Sequence, residues 1–591
     1  MKLLTFNINE PLITKKDKKY FEKNTNKTIY IGDWCCDFEY FSDKKKVNIF
    51  DSYNWRSERI RNTQNIYIKK IYEKLLINIS NFLNIYHKKN YNLKYWEILI
   101  SRWLWFYIIN SYSRWKIAKK ILKEKRINEI LSLNFNDEDI IGQNTLHSHK
   151  IMNSRDNYWS HYMFIKIFKY ISKIRIKNIR IRDSNKLSSV IKKLDTGIIF
   201  FSFFNFFFKK KIFIYRLYIP LVEKILIMLK SFQLNFKIFR YKIIQSNNSY
   251  HKRNFNFKFL IYKNKFFNFL CLELKNNIPR ICIEDFKLLD ENLIKAKWPK
   301  KPDYIITSHG QYYDEVFKAY VAKNILLKKK FVILQHGGLG HHENNFLFGS
   351  YFEKKISDIY ITWGKNVCKG GSPIGISTVK KKKCFYSKNK GILLVSYNLD
   401  IMPNKFPDGH LSNLQKQKII TEIIITFINN LSLNLRDYLF IKTNIAYTSQ
   451  DQNKGDIVKN QIIKNFQNIN FIENKKLTHQ ISHDFSIQIE TFLSTGFYEA
   501  LYLNNPTILI FNPKTIDGVN KNFLKELNKM HSLKISFFNA SEAAQFININ
   551  FKHINKWWNS KAIQDFRKIF CNKYCSDNKH FIKNLKKIIN F

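Results

Sequence analysis

Three short stretches of the chain carry side chains whose types and spacing could do chemistry. The richest is Gln335-His336-Gly337-Gly338-Leu339-Gly340-His341-His342-Glu343. Its clustered glycines let the backbone come close to a ligand and turn amide groups toward phosphate oxygens. His336 is placed to act as a general base or to hydrogen-bond a phosphate. The stretch matches neither the G-x-x-x-x-G-K-[ST] phosphate loop nor the G-x-G-x-x-G dinucleotide turn, and a tight turn with incidental histidines is the plain alternative. His341, His342 and Glu343 are metal-ligand types. Adjacent histidines point different ways in most backbones and no H-E-x-x-H is present, so no metal or other cofactor is expected.

The second stretch, Ser308-His309-Gly310-Gln311-Tyr312-Tyr313-Asp314-Glu315, offers His309 and Asp314 as further acid–base candidates. Asp314 is equally suited to cap the following helix. The third runs from Glu490 to Leu501 and leads to Asn505-Pro506-Thr507. Ser494, Thr495 and the Gly496 amide, at a helix start, can face a phosphate, and Glu499 one turn later can accept bonds from ribose hydroxyls. An N-capped helix with a solvent-facing glutamate is the alternative.

The elements that must hold these loops read as α/β. Tyr304–Thr307, a helical stretch 315–328 and Phe331–Leu334 form a strand–helix–strand unit, which implies parallel pairing. A further strand is expected at 358–362. After a basic linker at 380–390 the same pattern restarts, with strands at 391–396, 438–443, 486–491, 507–511 and 534–538 and helical segments at 416–429 and 496–503. In open α/β sheets ligands bind beyond the carboxyl ends of strands, where all three loops fall. Residues 59–175 show apolar spacing near 3.6 and read as a helical layer. Segment 176–275, Lys/Phe-rich and almost free of Gly and Pro, is read as helices with loops. The expected division is 1–385, carrying the helical layer at about 59–275, and 386–591, closed by C-terminal helices.

Composition sets the outer bounds. The chain has 591 residues, 45% hydrophobic and 25% charged, with Lys+Arg 100 against Asp+Glu 46 and a formal charge of +54. Such a balance attracts nucleic acid or an anionic membrane. The basic residues are spread from Lys2 to Lys587 rather than gathered in a stripe, so no specific nucleic acid is expected. Eight cysteines include no C-x2-C pair, which argues against a zinc site or a disulfide framework. Met1–Glu10 lacks the basic-then-apolar order of a signal peptide, and Gly197–Phe208 is shorter than the ~20 residues that cross a bilayer. A cytoplasmic enzyme with peripheral contact at an anionic inner membrane is expected.

Several segments together resemble a bacterial family of surface-carbohydrate transferases encoded with O-antigen, capsule or nonulosonic-acid genes, distantly similar to CDP-glycerol glycerophosphotransferases. They are Tyr30-Ile31-Gly32-Asp33-Trp34-Cys35, Gln335-His336-Gly337-Gly338 with Gly340, Ile356-Ser357-Asp358 through Trp363-Gly364, and Ser494-Thr495-Gly496-Phe497 with Glu499-Ala500-Leu501 and Pro506-Thr507. Tyr95–Trp115, Asp156–Trp159, Ile278-Pro279 and Trp557-Trp558 extend the likeness over most of the chain. The resemblance implies two Rossmann-like domains facing a cleft, in the manner of GT-B glycosyltransferases. It also implies transfer of a sugar, for instance a nonulosonic acid, from a nucleotide-activated donor to a surface glycan or lipid-linked acceptor. His336 is then the first choice of base, followed by His309 and Asp314. Gly337, Gly338, Gly340, Lys442, Ser494, Thr495, Gly496 and Glu499 are the substrate-binding set. Lys442 stands where the family usually has arginine; it keeps the charge and loses the planar fork that grips phosphate. Residues 339–345 are also less glycine- and aromatic-rich than the family pattern. The alternatives are a CDP-polyol phosphotransferase, a nucleic-acid-binding protein and an inactive scaffold.

Overall fold

The computed structural model describes residues 1–6, 27–35, 48–133, 137–153, 158–179, 196–204, 211–230, 233–242, 253, 255, 257, 263–338, 350–380, 391–398, 411–445, 457–466, 468–473, 476–512 and 519–589. The amino-terminal third opens with strands β1 (Lys2–Leu4) and β2 (Thr28–Tyr30), followed by the long helices α1 (Glu58–Tyr86) and α2 (Leu93–Glu124). Strands β3 (Glu129–Leu133) and β4 (Arg175–Ile179) complete a four-stranded parallel sheet in the order β2-β1-β3-β4.

The stretch 59–175, read as a helical layer, therefore contributes β3 and runs into β4, and the amino-terminal half carries two parallel sheets where one was expected. The physical reason is separation: β1 pairs with residues 28–30 and 129–130, so the sheet is set by partners far away in sequence.

Among its described residues, the segment read as helices with loops holds strands as well as helices. It holds β5 (Thr196–Phe204), β6 (Ile212–Tyr215), helix α3 (Leu221–Lys230), β7 (Gln233–Lys242) and helix α4 (Lys265–Asn277). β5 and β7 pair antiparallel, with a register shift between Ile199 and Phe200. Ile199 faces Phe239 and Phe200 faces Lys237, so Ile238 is the extra residue. The apolar alternation Leu234, Phe236, Ile238 switches there to Phe239, Tyr241, and a bulge of this kind erases the period of two that marks a strand.

The second sheet is also parallel and matches the expected unit. It contains β6, β8 (Tyr304–Thr307), β9 (Lys330–Leu334), β10 (Ile359–Thr362) and β11 (Ser372–Pro373), in the order β11-β10-β9-β8-β6. Helix α5 (Glu315–Leu326) joins β8 to β9, and α6 (Ser350–Ile356) precedes β10.

The third sheet is built from β12 (Ile392–Asn398), β13 (Leu439–Ile445), β14 (Asn470–Phe471), β15 (Ile487–Glu490), β16 (Thr507–Ile510) and β17 (Ser536–Phe537). Its order is β14-β13-β12-β15-β16-β17, again all parallel. Connecting helices include α7 (Asn413–Asn430), α8 (Thr478–Ile481), α9 (Thr495–Leu503) and α10 (Lys521–Ser532), and the chain ends with α11 (Lys561–Tyr574) and α12 (Phe581–Ile589). β12 shows why such strands read clearly. Ile392 and Leu394 enter one core, Leu393 and Val395 another, so both faces are buried and the run is continuously apolar.

Helix α2 is buried on every side from Tyr95 to Trp115, the signature of a central helix. One core joins it to both amino-terminal sheets through residues such as Leu3, Ile130, Ile305 and Phe331. Lys318, buried in α5, is satisfied there: its ammonium donates to the Leu99 carbonyl (3.0 Å) and the Thr145 hydroxyl (2.8 Å) and lies 2.9 Å from Glu315.

The halves are fused rather than merely apposed. Trp363, Ile376 and Val379 share a core with Phe497, Tyr498, Leu501 and Phe570. The expected division at 385/386 lies outside the described residues. Helix α12 returns to the second sheet, setting Phe581, Leu585 and Ile589 against Ile306, Val332, Leu334 and Ile361. Leu585→Ala should therefore lower stability in urea unfolding by ~2–5 kcal/mol, as truncation of a buried leucine does. Lys583→Ala, exposed on the same helix, should change it by no more than ~0.5 kcal/mol.

Candidate active site

His336 follows β9 directly, at the carboxyl end of the second sheet. Its neighbour Gln335 fixes the turn. The Gln335 side chain donates to the Gly337 carbonyl (2.8 Å) and accepts from the Trp363 amide (2.8 Å), while the Trp363 indole donates to the Gln335 carbonyl (3.0 Å). His336 Nδ1 lies 3.3 Å from Glu353 Oε1 on α6.

Glu353 is buried and takes hydroxyl bonds from Tyr312 (2.7 Å) and Tyr360 (2.8 Å) and an amide bond from Gln311 (2.9 Å). Burial alone would raise its carboxyl, but His336 and the two tyrosines outweigh it and hold the group below the usual glutamate value. A carboxylate beside Nδ1 favours the tautomer with its proton on that nitrogen and a lone pair on Nε2. The His336 side chain is 31% exposed, so solvent and small molecules can reach it.

His309 stands beside it, with ring centroids 5.6 Å apart at 85°, and Tyr218 flanks both rings. Burial, reinforced by His336, Arg216 and Arg102, pushes the His309 imidazole down to about 4. His309 is thus neutral at pH 7. Asp314 caps α5 through the Phe317 amide (3.0 Å), and its other oxygen takes the Tyr215 hydroxyl and Arg216 at 3.2 Å. That engagement makes it an anchor for the His309 loop, and it is the capping role that the sequence left open.

The carboxyl-terminal half brings its own loop to the same place. The Gly338 amide donates to Thr495 Oγ1 at 3.1 Å, across the junction between the second and third sheets. A side chain on Gly338 would meet the Tyr498 ring at 2.4 Å, and one on Gly337 would stand 3.1 Å from Thr495 Oγ1. Glycine is required there by close approach. Thr495 and Gly496 begin α9, so helix geometry leaves their amides without an intrahelical partner, at the end of the dipole that favours anions.

Ser494 is the N-cap. Its hydroxyl accepts from the Phe497 amide (3.1 Å) and donates to Glu490 (3.1 Å), so it braces the loop from beneath. Glu499 is buried, accepts from the Thr378 hydroxyl (2.6 Å) and lies 3.1 Å from His479 Nδ1. Each of its oxygens retains a second lone pair. Lys442 sits inside β13, in register with Val395, which is in register with Glu490, so the three share one sheet face. Burial pushes its ammonium down. Gly340 and the His341-His342-Glu343 run lie outside the described residues.

A second bridge ties the first sheet to the third. Ser412, the N-cap of α7, donates to Asp33 Oδ2 at 3.1 Å, and Asp33 follows β2. Burial raises the Asp33 carboxyl against that bond. Asp33 stood within the Gly32–Cys35 motif, whereas nothing local in the sequence marked Glu353, His479 or Thr378. Among the described residues no group of His, Cys, Asp and Glu is arranged to hold a metal ion, and no helix is long and apolar enough to cross a membrane. A cavity of about 770 Å3 lies elsewhere, lined by Glu58, Lys365, Lys369, Lys521 and Asn522 among others.

The profile of the LIC12162 family transferase family matches residues 11–589. The chain belongs to the LIC12162 family of transferases. No curated protein matches it. Solved structures similar to it include S. aureus MnaA with UDP, at 12% identity over 52% of this chain and 79% of that one, TM-score 0.31. The wall teichoic acid polymerase TagF gives 12%, 51% and 84%, TM-score 0.30. The spinosyn rhamnosyltransferase SpnG gives 9%, 52% and 78%, TM-score 0.28. Nothing about the substrate of this LIC12162 transferase follows from such likenesses; its fold is read from the three parallel sheets.

Beneath the Ser494–Gly496 loop, burial pushes the Glu490 carboxyl up to about 8, with the Glu499 charge adding to the rise and bonds from Gln488 and Ser494 opposing it. Between pH 4.5 and about 8 the folded chain holds a proton that the unfolded chain has lost. Stability from this group therefore falls as pH rises through that window and levels off above it. Glu490→Gln should remove this slope: the stability of wild type minus that of the variant, from urea unfolding across the window, should decline with pH. A constant difference would contradict the assignment.

Proposed function

We propose that this LIC12162 transferase moves a sugar from a nucleotide-activated donor to a hydroxyl of a glycan or lipid-linked acceptor. The observation that carries the reading is the Gly338–Thr495 contact, because it sets the His336–Glu353 pair against the start of α9. In this reaction His336 Nε2 takes the acceptor proton, the acceptor oxygen bonds to the anomeric carbon, and the bond from that carbon to the donor phosphate oxygen breaks. Glu353 stabilises the imidazolium that forms. Charge gathers on the departing phosphate, where the amides of Thr495 and Gly496 and the helix dipole meet it. Glu499, held by Thr378 and His479, accepts the ribose hydroxyls. An acidic nine-carbon sugar is the donor group that the resemblance suggests, and no metal is assigned a step.

A panel of CMP-, UDP-, GDP- and TDP-sugars read by thermal shift should contain at least one that raises the melting temperature. With that donor, His336→Ala should lower kcat at least ~100-fold, the scale of a lost general base, while the donor Kd stays within about threefold. Glu499→Ala should do the reverse, weakening nucleotide binding about tenfold or more, ~1.4 kcal/mol. Unchanged turnover in His336→Ala would remove it as the base. Release of CMP with formation of a phosphodiester would replace sugar transfer by polyol-phosphate transfer.

A further inference from the structure

Helix α3 is turned the wrong way round for a helix with nothing docked on it. Leu221, Val222, Ile225 and Leu229 are 70%, 55%, 42% and 56% exposed. At 100° per residue these four side chains fall within one arc of ~100°. On the opposite side Ile227 is buried in the core that α12 shares with the second sheet, and Glu223 is paired with Lys380 at 2.8 Å. Tyr218, half exposed, extends the apolar stripe toward β6. Scattered apolar residues on a surface are ordinary, but a contiguous stripe marks a partner.

The charge around the stripe says what kind. α12, which packs against α3, presents exposed Lys583 and Lys587, and Lys224 stands on α3 itself. The only acidic residue in the two helices is Glu223, which faces inward. An apolar helix face, with exposed lysines on the adjoining helix and no outward carboxylate on either helix, fits the boundary between headgroups and acyl chains of an anionic bilayer, where apolar burial and attraction to lipid phosphates act together. We propose that the outward face of α3, with the lysines of α12, docks this transferase onto an anionic phospholipid surface.

The location has a consequence for the acceptor, and this part alone rests on the glycosyl-transfer reading. Tyr218 precedes α3 by three residues, and its ring lies 6.1 Å from His336 and 5.6 Å from His309. The docking face therefore begins beside the proposed base, so an acceptor anchored in the bilayer would present its headgroup to His336.

The test is cosedimentation of the full chain with vesicles of phosphatidylglycerol and phosphatidylcholine in equal parts, and with phosphatidylcholine alone, at physiological salt. Wild type should bind the mixed vesicles at least tenfold more tightly than the neutral ones. Leu221→Glu with Ile225→Glu should lose tenfold or more of that affinity, and Lys583→Glu with Lys587→Glu should also weaken it. All altered positions but Ile225 are well exposed, so melting temperatures should stay near wild type. Leu221→Ser with Ile225→Ser, which removes apolar area without adding charge, should give a smaller loss in the same direction and guards against misfolding of the first variant.

Equal binding to both vesicle types, no binding by wild type, or undiminished binding by the Leu221/Ile225 variants would overturn the proposal. So would a wild-type dimer that these variants dissolve, since a second copy would then cover the face. The thermal shift given by a nucleotide-sugar, measured without vesicles, should be the same in wild type and variants. Its absence in both would count against the sugar-transfer reading and leave the docking result standing.

Discussion

One short contact organises the molecule: the Gly338 amide donating to the Thr495 hydroxyl. A parallel sheet delivers all its functional loops at one edge, because each strand must return by a crossover before the next begins. Two such sheets make a shared site only when those edges meet. Here they meet through a glycine turn close enough to a helix start that a Cβ on Gly338 would strike Tyr498. The Asp33–Ser412 bond brings the first sheet to the same region from another side. The shared core around Trp363 and the return of α12 to the second sheet hold the halves in this relation.

Within that frame, chemistry is set by how each buried acid is paired. Glu353 has a histidine and two tyrosine hydroxyls around it and remains an anion, which suits a group that must orient and stabilise His336. Glu490 is as deeply buried, has an amide and a hydroxyl for partners and a second glutamate nearby, and is driven the other way. The two histidines have different surroundings. His336 has a carboxylate at Nδ1, whereas His309 is buried beside other cationic groups and stays neutral. The same residue types are thereby given different surroundings.

Legibility in the sequence followed the range over which each feature is encoded. The Gly337-Gly338 turn, the Ser494 cap and the strands at 304–307, 331–334 and 391–396 were readable because turn chemistry and fully buried strands are written in consecutive residues. The pairing of the first sheet was not, because it joins residue 2 to residues 28 and 129. The β5–β7 ribbon was masked by its bulge at Ile238. Glu353 and His479 were missed for a different reason. Their partners are reached only after a strand or helix has turned back, so no local spacing announces them.

The most direct test of the central claim is a crystal structure of the protein with the nucleotide that stabilises it. The phosphates should lie within hydrogen-bond distance of the Thr495 and Gly496 amides, with the ribose at Glu499 and the leaving end open toward His336. A nucleotide bound instead in the cavity lined by Lys365, Lys369 and Lys521, with nothing between His336 and α9, would contradict it.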